Sequence, residues 1–322
     1  MQSMDIHKFY EELTQEEKLQ IKEKVTLEFE RNLGAKLAES VTHCPNCKHT
    51  QFQKVGKTRG IQRYKCKFCN KTFNAKTKTA FHCTKKSLET WNHYLNLMFS
   101  NQMSLRKIAK ATGIDLRTTF FWRHKILNAL KELDNPKLSG IVEADETYFA
   151  LSYKGKKRDL PRPPHKRGKQ IKKRGLSKDQ VCVIGAIDRT KSTLLESTCL
   201  ASPKISDITR VLGPHIARDA LLVTDFGKAF PGFARNLDLK HYPLEKRTSD
   251  NESIHRQTVN SLHAQVKRFM RPFNGVATKY LDHYMTYYKW SGQDADETAA
   301  DLAQSTASVT CSALTAMQMR LK

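Results

Sequence analysis

Apolar residues recur at helical spacing through Leu19, Ile21, Val25 and Phe29, and Thr14 with Glu17 forms a capping box. Residues 1–40 are therefore expected to be helical, with a charged opposite face. Residues 87–133 read as helices broken at Gly113, and Asn135-Pro136 marks a boundary. From residue 140 the pattern changes. GIVEADETYFA, VCVIGAIDR (181–189) and STLLESTCL (192–200) read as strands, the last two joined by a polar turn at Thr190-Lys191. SDITRVLGPHIA reads as helix, ALLVTD (220–225) as a buried strand, GKAFPGFARNL as a broken helix, and His241-Tyr242 as part of a short strand. Residues 254–270 and 276–290 read as helices. Strands first, then alternating helix and strand, predict a mixed α/β sheet. The expected divisions are a helical segment (1–40), a cysteine segment (41–83), a helical region (84–135), a mixed-sheet domain (139–291) and a tail (292–322) rich in Ala, Ser and Thr.

One stretch breaks the pattern. Residues 153–178 hold twelve Lys or Arg and one acid, Asp159, with Pro161, Pro163 and Pro164 and no apolar period. A basic loop that touches phosphate backbone is expected, with Lys166, Arg167, Lys172, Lys173 and Arg174 as candidate contacts. A plain disordered insertion has the same composition. Charge over the whole chain favours the first reading: Lys and Arg number 56 against 32 acids, a net +24. Such a field attracts polyanions, nucleic acid above all. The 322 residues suffice for two or three domains. With no apolar run of membrane-spanning length and no apolar region near the N-terminus, a cytoplasmic protein is expected, nucleoid-associated if it binds DNA, with no membrane partner.

Eight cysteines in a cytosolic chain do not suggest disulfides. Cys44-Pro45-Asn46-Cys47 and Cys66-Lys67-Phe68-Cys69 are two CxxC pairs separated by eighteen residues. Four thiolates at this spacing suit tetrahedral zinc, and a closed four-cysteine site is structural, not catalytic. Arg63-Tyr64-Lys65 and Lys71-Thr72-Phe73 read as strands entering and leaving the second pair, so a zinc ribbon is expected; a redox dithiol pair is the rival. His43, His49 and His82 are superfluous if four thiolates bind. Cys182 and Cys199, in apolar runs, are expected in the core.

MSLRKIAKATGIDLRTTFFWRHKIL (103–127) fits a helix-turn-helix. Leu105, Ile108 and Ala109 would face inward, Gly113 would make the turn and Asp115 would cap the second helix. Arg117, Thr118 and Arg123 would then face outward and reach a DNA major groove. A helical hairpin without DNA contact fits the same sequence.

Asp145 falls in a predicted strand and Asp225 ends another. Carboxylates on buried strands are costly unless paired or bound to metal, and two of them can share Mg²⁺ or Mn²⁺. Either aspartate alone is also what a simple helix cap looks like.

VEADETYF, the basic insertion, VCVIGAIDR, LLVTDFGKAF and HRQTVNSLHAQVKRFMRPFNGV, in that order, resemble the ISXO-like bacterial insertion-sequence transposases over about residues 40–290. The resemblance implies an N-terminal zinc ribbon with helix-turn-helix, then a ribonuclease H-like mixed-sheet domain with an acidic triad. It implies Asp145 and Asp225 as the first two members. The third position falls at Asn260, where many relatives have Glu, with Lys267 two helical turns on. Asn offers a metal a carbonyl oxygen without a charge, and Lys267 would hold a DNA phosphate. Glu252 and Glu146 are alternative third carboxylates, although strand alternation should point Glu146 away from Asp145. His263, one turn past Asn260, is a further candidate DNA contact.

The implied activity is Mg²⁺- or Mn²⁺-dependent cleavage and strand transfer at transposon ends, with structural zinc, double-stranded DNA as partner and a homo-oligomer on paired ends. The alternative is a non-catalytic, domesticated DNA-binding regulator.

Overall fold

The computed structural model describes residues 41–58, 61–82, 84–100, 102–155, 176–225, 227, 229–244 and 254–291, with 13–18, 20, 24, 38, 39 and 160. The candidate loop residues Lys166, Arg167, Lys172, Lys173 and Arg174, the alternative acid Glu252 and the tail from 292 lie outside the described residues, as does most of the segment 1–40. The Thr14–Glu17 capping box is present, with reciprocal backbone-to-side-chain bonds of 2.9 and 3.3 Å. Among the described residues, no helix is long and apolar enough to cross a membrane.

Two compact units emerge, the first reaching Ala129 and the second spanning Leu130–Trp290. The first opens with a three-stranded antiparallel sheet, β1 (Phe52–Thr58), β2 (Ile61–Cys66) and β3 (Thr72–Asn74). Phe52, Tyr64 and Phe73 form its small aromatic core beside Cys44 and Cys66. Three helices follow: α1 (Leu88–Phe99), α2 (Leu105–Thr112) and α3 (Leu116–Leu133). Ser87 caps α1 through the N–H of Thr90. Gly113, at φ 64°, ends α2 in the left-handed conformation that glycine adopts without strain. Trp91 stacks on Trp122 at 3.6 Å between ring centroids, and both are core residues.

The second unit is a mixed five-stranded sheet in the order β6-β5-β4-β7-β8, which fits the expected α/β class. Its strands are β4 (Ile141–Ala150), β5 (Gln180–Asp188), β6 (Thr193–Leu200), β7 (Leu221–Asp225) and β8 (Lys240–Leu244). β4 is central, antiparallel to β5 and parallel to β7. Helices cover both faces. Cys182, Ile184 and Ala186 of β5 pack with α4 (Ile205–Leu212) and α5 (Ala229–Leu237). Val181, Val183 and Ile187 pack with α6 (Gln257–Met270) and α7 (Leu281–Trp290). A strand buried on both faces loses its alternation, which is why β5 reads as one apolar run. At the β5–β6 turn, Oδ1 of buried Asp188 accepts the N–H groups of Thr190 and Ser192, and Lys191 takes φ 68°.

The sequence around Pro231 predicts a broken helix, but α5 is continuous. Pro231 is its third residue, where the missing N–H would have had no partner inside the helix. The predicted helix at 276–290 resolves into a 3₁₀ turn at Thr278–Tyr280 followed by α7.

Candidate active site and metal centres

β4 and β7 run side by side in register Ile141↔Leu221, Val142↔Leu222 and Glu143↔Val223. Two residues further along each strand are Asp145 and Asp225, on the same face of neighbouring strands. Glu146 follows Asp145. One carboxylate oxygen from each of Asp145, Glu146 and Asp225 lies within 4.8 Å of the others. Strand alternation counts against Glu146 as the alternative third carboxylate, yet its carboxylate belongs to the cluster. Strand pairing between β4 and β7 ends at Glu143, so no β7 backbone flanks Glu146. Glu146 still pairs with Ile184 of β5, and one of its carboxylate oxygens lies with those of the two aspartates.

Local backbone holds the aspartates in place. Oδ1 of Asp145 accepts the N–H of Glu146 at 2.8 Å, and Oδ1 of Asp225 accepts the N–H of Gly227 at 2.9 Å. A Cβ on Gly227 would lie 2.8 Å from that same Asp225 oxygen, so a side chain there would displace it. Burial raises the Asp145 carboxyl above its usual range, and the N–H of Glu146 opposes it. The charge of Asp225 raises it further, while Arg256 lowers it. Glu146 is pushed up to about 7, first by burial and then by the charges of Asp145 and Asp225. Three half-buried carboxylates repel one another unless a cation or protons intervene. An all-carboxylate donor set fits a hard divalent ion such as Mg²⁺ or Mn²⁺.

Asn260 and Lys267 are both exposed on α6. With Arg256, whose charge acts on Asp145, and His263 they form one stripe at spacings of three and four residues. His263 is buried, which does not suit it for DNA contact. Its Nε2 would lie 2.4 Å from a Cβ on Gly185, the cross-strand partner of Asp145.

Residues 137–291 match the ISXO2-like transposase domain family. Over this stretch the chain is similar to an insertion-sequence transposase domain. An uncharacterized protein in the transposable element ISH50 of Halobacterium salinarum is 26% identical over 250 residues, covering 77% of this chain and 84% of its own. Two solved assemblies give low TM-scores at 10% identity. A simian T-cell lymphotropic virus intasome with a phosphatase regulatory subunit scores 0.29, covering 62% of this chain and 67% of its own. A pre-cleavage Mos1 transpososome scores 0.23, with coverages of 70% and 81%.

N-terminal to the α/β unit, Cys44, Cys47, Cys66 and Cys69 converge, one sulfur of each within 4.8 Å of the rest. Cys44–Cys69 and Cys47–Cys66 sulfurs are 3.7 and 3.5 Å apart. Thiolates bound to a tetrahedral ion at about 2.3 Å stand about 3.8 Å apart, so the cluster fits zinc. The two CxxC loops repeat one hydrogen-bond pattern. Cys44 accepts from Lys48 N–H and donates to His49, and Cys66 accepts from Asn70 N–H and donates to Lys71. Each loop closes on a left-handed residue, Lys48 at φ 65° and Asn70 at φ 57°. Backbone N–H of Cys69 holds the Cys66 thiol down to about 7 against burial, with that of Phe68 adding. His49 stacks on Phe68 at 5.1 Å and is not part of the cluster.

In the helical hairpin, Asp115 caps α3 through the N–H groups of Arg117 and Thr118, at 2.8 and 3.4 Å. Arg117 is exposed, its guanidinium 5.7 Å from the Phe121 ring, and Thr118 is half-buried. Arg123 corrects the sequence reading. It is 1% exposed, and its Nη2 donates to the carbonyl of Met103 at 2.7 Å. Lying between Trp122 and His124, both buried, it ties α3 to the segment before α2 instead of facing a groove.

Proposed function

We propose that the chain is a metal-dependent DNA transposase that cleaves and joins strands at the ends of its own insertion sequence. One observation carries the reading: Asp145, Glu146 and Asp225 bring three carboxylates together at the open end of two central strands, inside a domain of transposase kind. Such a cluster has no purpose in a purely DNA-binding regulator, where it would repel the phosphate backbone.

Asp145 and Asp225 would hold one or two Mg²⁺ or Mn²⁺ ions, with Glu146 as a third carboxylate and Asn260 lending a neutral oxygen. The ions supply Lewis-acid polarisation of the scissile phosphate and a more acidic attacking hydroxyl. The chain's own residues do the rest. Asp145, its oxygen fixed by the N–H of Glu146, and Asp225, fixed by that of Gly227, present preset donors. Lys267 holds a neighbouring phosphate. In this reading the sheet domain is ribonuclease H-like, the cysteine cluster binds structural zinc as a ribbon, and Arg117 and Thr118 approach the groove. Lys166, Arg167, Lys172, Lys173 and Arg174 track the backbone, and two or more copies act on paired ends.

The experiment is a strand-transfer assay on DNA flanking the protein's own gene, with Asp145→Ala and Asp225→Ala controls. Metal-dependent joining by the wild type and none by either variant supports the reading. A wild type that binds the ends and never cuts or joins them, with either metal, contradicts it.

A further inference from the structure

Helix α6 begins without a capping side chain of its own. Its N-cap is Arg256, a donor only, and no side-chain bond caps the first turn from within. The acceptor comes from the sheet. Glu143 of β4, fully buried, takes the N–H of Val259 on Oε2 at 2.9 Å. Val259 is the third residue of α6, a position whose N–H a Ser, Thr or Asp cap would ordinarily satisfy.

The other oxygen, Oε1, accepts from Nη1 of Arg189, and the same nitrogen reaches Oγ1 of Thr258 at 3.1 Å. Nδ1 of His255 lies 3.2 Å from Oε1. Arg189 is itself placed by the β5–β6 turn that Asp188 ties. A buried carboxylate left alone would be strongly destabilising. Here a guanidinium and the positive end of a helix offset it. The result is a clamp joining β4, the β5–β6 turn and the first turn of α6.

Glu143 stands two residues before Asp145 on the same face of β4. Arg256, at the clamped end of α6, is close enough for its charge to act on Asp145. Asn260 is one turn further along the same stripe. We infer that Glu143 is a positioning residue: it keys the start of α6 to the strand carrying Asp145 and so presents Asn260 to the Asp145–Asp225 pair. The inference rests on the proposed role of Asn260 as a metal-facing amide.

The test is calorimetric titration of Mn²⁺ into the full-length protein, comparing wild type, Glu143→Gln, Asn260→Ala and the double variant. Val266→Ala, a cavity in the same helix away from the clamp, controls for lost stability. Glu143→Gln is expected to weaken Mn²⁺ binding about tenfold, as loss of a supporting residue does at metal sites. Val266→Ala should leave it unchanged, and the double variant should bind no more weakly than Asn260→Ala. Wild-type affinity in Glu143→Gln, with weakening in Asn260→Ala, overturns the inference alone. Additive effects overturn the route through Asn260. Wild-type affinity in Asn260→Ala overturns the reading of Asn260 and the inference with it. If Glu143→Gln does not fold, Arg189→Gln removes the outer half of the clamp and carries the same expectation. Faster hydrogen exchange at the Val259 amide then reports the loosened turn, and unchanged exchange and Mn²⁺ affinity count against the clamp.

Discussion

Gly185 lies across from Asp145 on β5, and the imidazole of His263 fills the space where its side chain would be. The ring is buried, its Nε2 has no hydrogen-bond partner among the described residues, and burial, with Lys267 adding, lowers it to about 4. It is therefore neutral at physiological pH and acts as a spacer between α6 and the sheet. Gly185→Ala would put a Cβ 2.4 Å from Nε2. The expected loss is about 1–3 kcal/mol by urea unfolding, as for other overpacked cores. Adding His263→Ala should recover part of it. Additive losses in the double variant would mean the two residues do not press on each other.

The raised Glu146 carboxyl predicts a pH signature for metal binding. Its folded value, about 7, lies above its ordinary 4.5. The folded state therefore holds this proton more tightly between those values. Its contribution to stability is present below pH 4.5 and is lost as pH rises through 7. A divalent ion reverses the sign by favouring the carboxylate. The rise in melting temperature on adding Mn²⁺ should be larger at pH 8 than at pH 5.5, and Glu146→Gln should flatten that difference. An equal rise at both pH values in the wild type would remove Glu146 from the metal site.

Zinc removal should separate the two units. Four thiols without an ion leave the β1–β3 sheet with a small core of Phe52, Tyr64 and Phe73 beside Val41. Chelation, or Cys44→Ser with Cys47→Ser, should abolish its ordered signals while the α/β unit keeps its own unfolding transition. End binding should weaken with Mn²⁺ binding unchanged. Intact end binding after zinc loss would deny the ribbon a DNA role.

Arg117 and Arg123 should part company although both are arginines of α3. Arg117→Ala should weaken end binding and reduce the salt slope by about one, the signature of a lost phosphate contact. Arg123→Ala should instead lower stability by about 2–4 kcal/mol, since it empties a buried site and orphans the Met103 carbonyl. A stable Arg123→Ala protein with an altered salt slope would restore the groove-facing reading.

The contrast marks how far the sequence could be read. Strands β5 and β7 were legible because burial makes their apolar runs continuous, and Asp145 and Asp225 stood out as acids in predicted strands. The four cysteines declared themselves by spacing. Glu146 was only an alternative third carboxylate because alternation should point it away from Asp145, and only the structure shows that β7 stops pairing before it. Arg123 was assigned to the surface by its charge, yet its long stem packs among aromatics while its head finds one carbonyl. Glu143 left a weaker trace: an acid between apolar neighbours on a strand, and a helix whose cap is an arginine. Neither half of that signal means much until the two are seen touching.

We propose that Asp145, Glu146 and Asp225 form a working metal centre for DNA cleavage. The most direct measurement is cleavage of a labelled duplex carrying the element's end by the full-length protein, with Mg²⁺ or Mn²⁺ and without. Metal-dependent nicking at the element boundary is expected, which Asp145→Asn and Asp225→Asn each reduce by about a thousandfold, the rate equivalent of several kcal/mol of metal stabilisation, with end binding retained. Cleavage that persists in either asparagine variant, or in chelator, would contradict it.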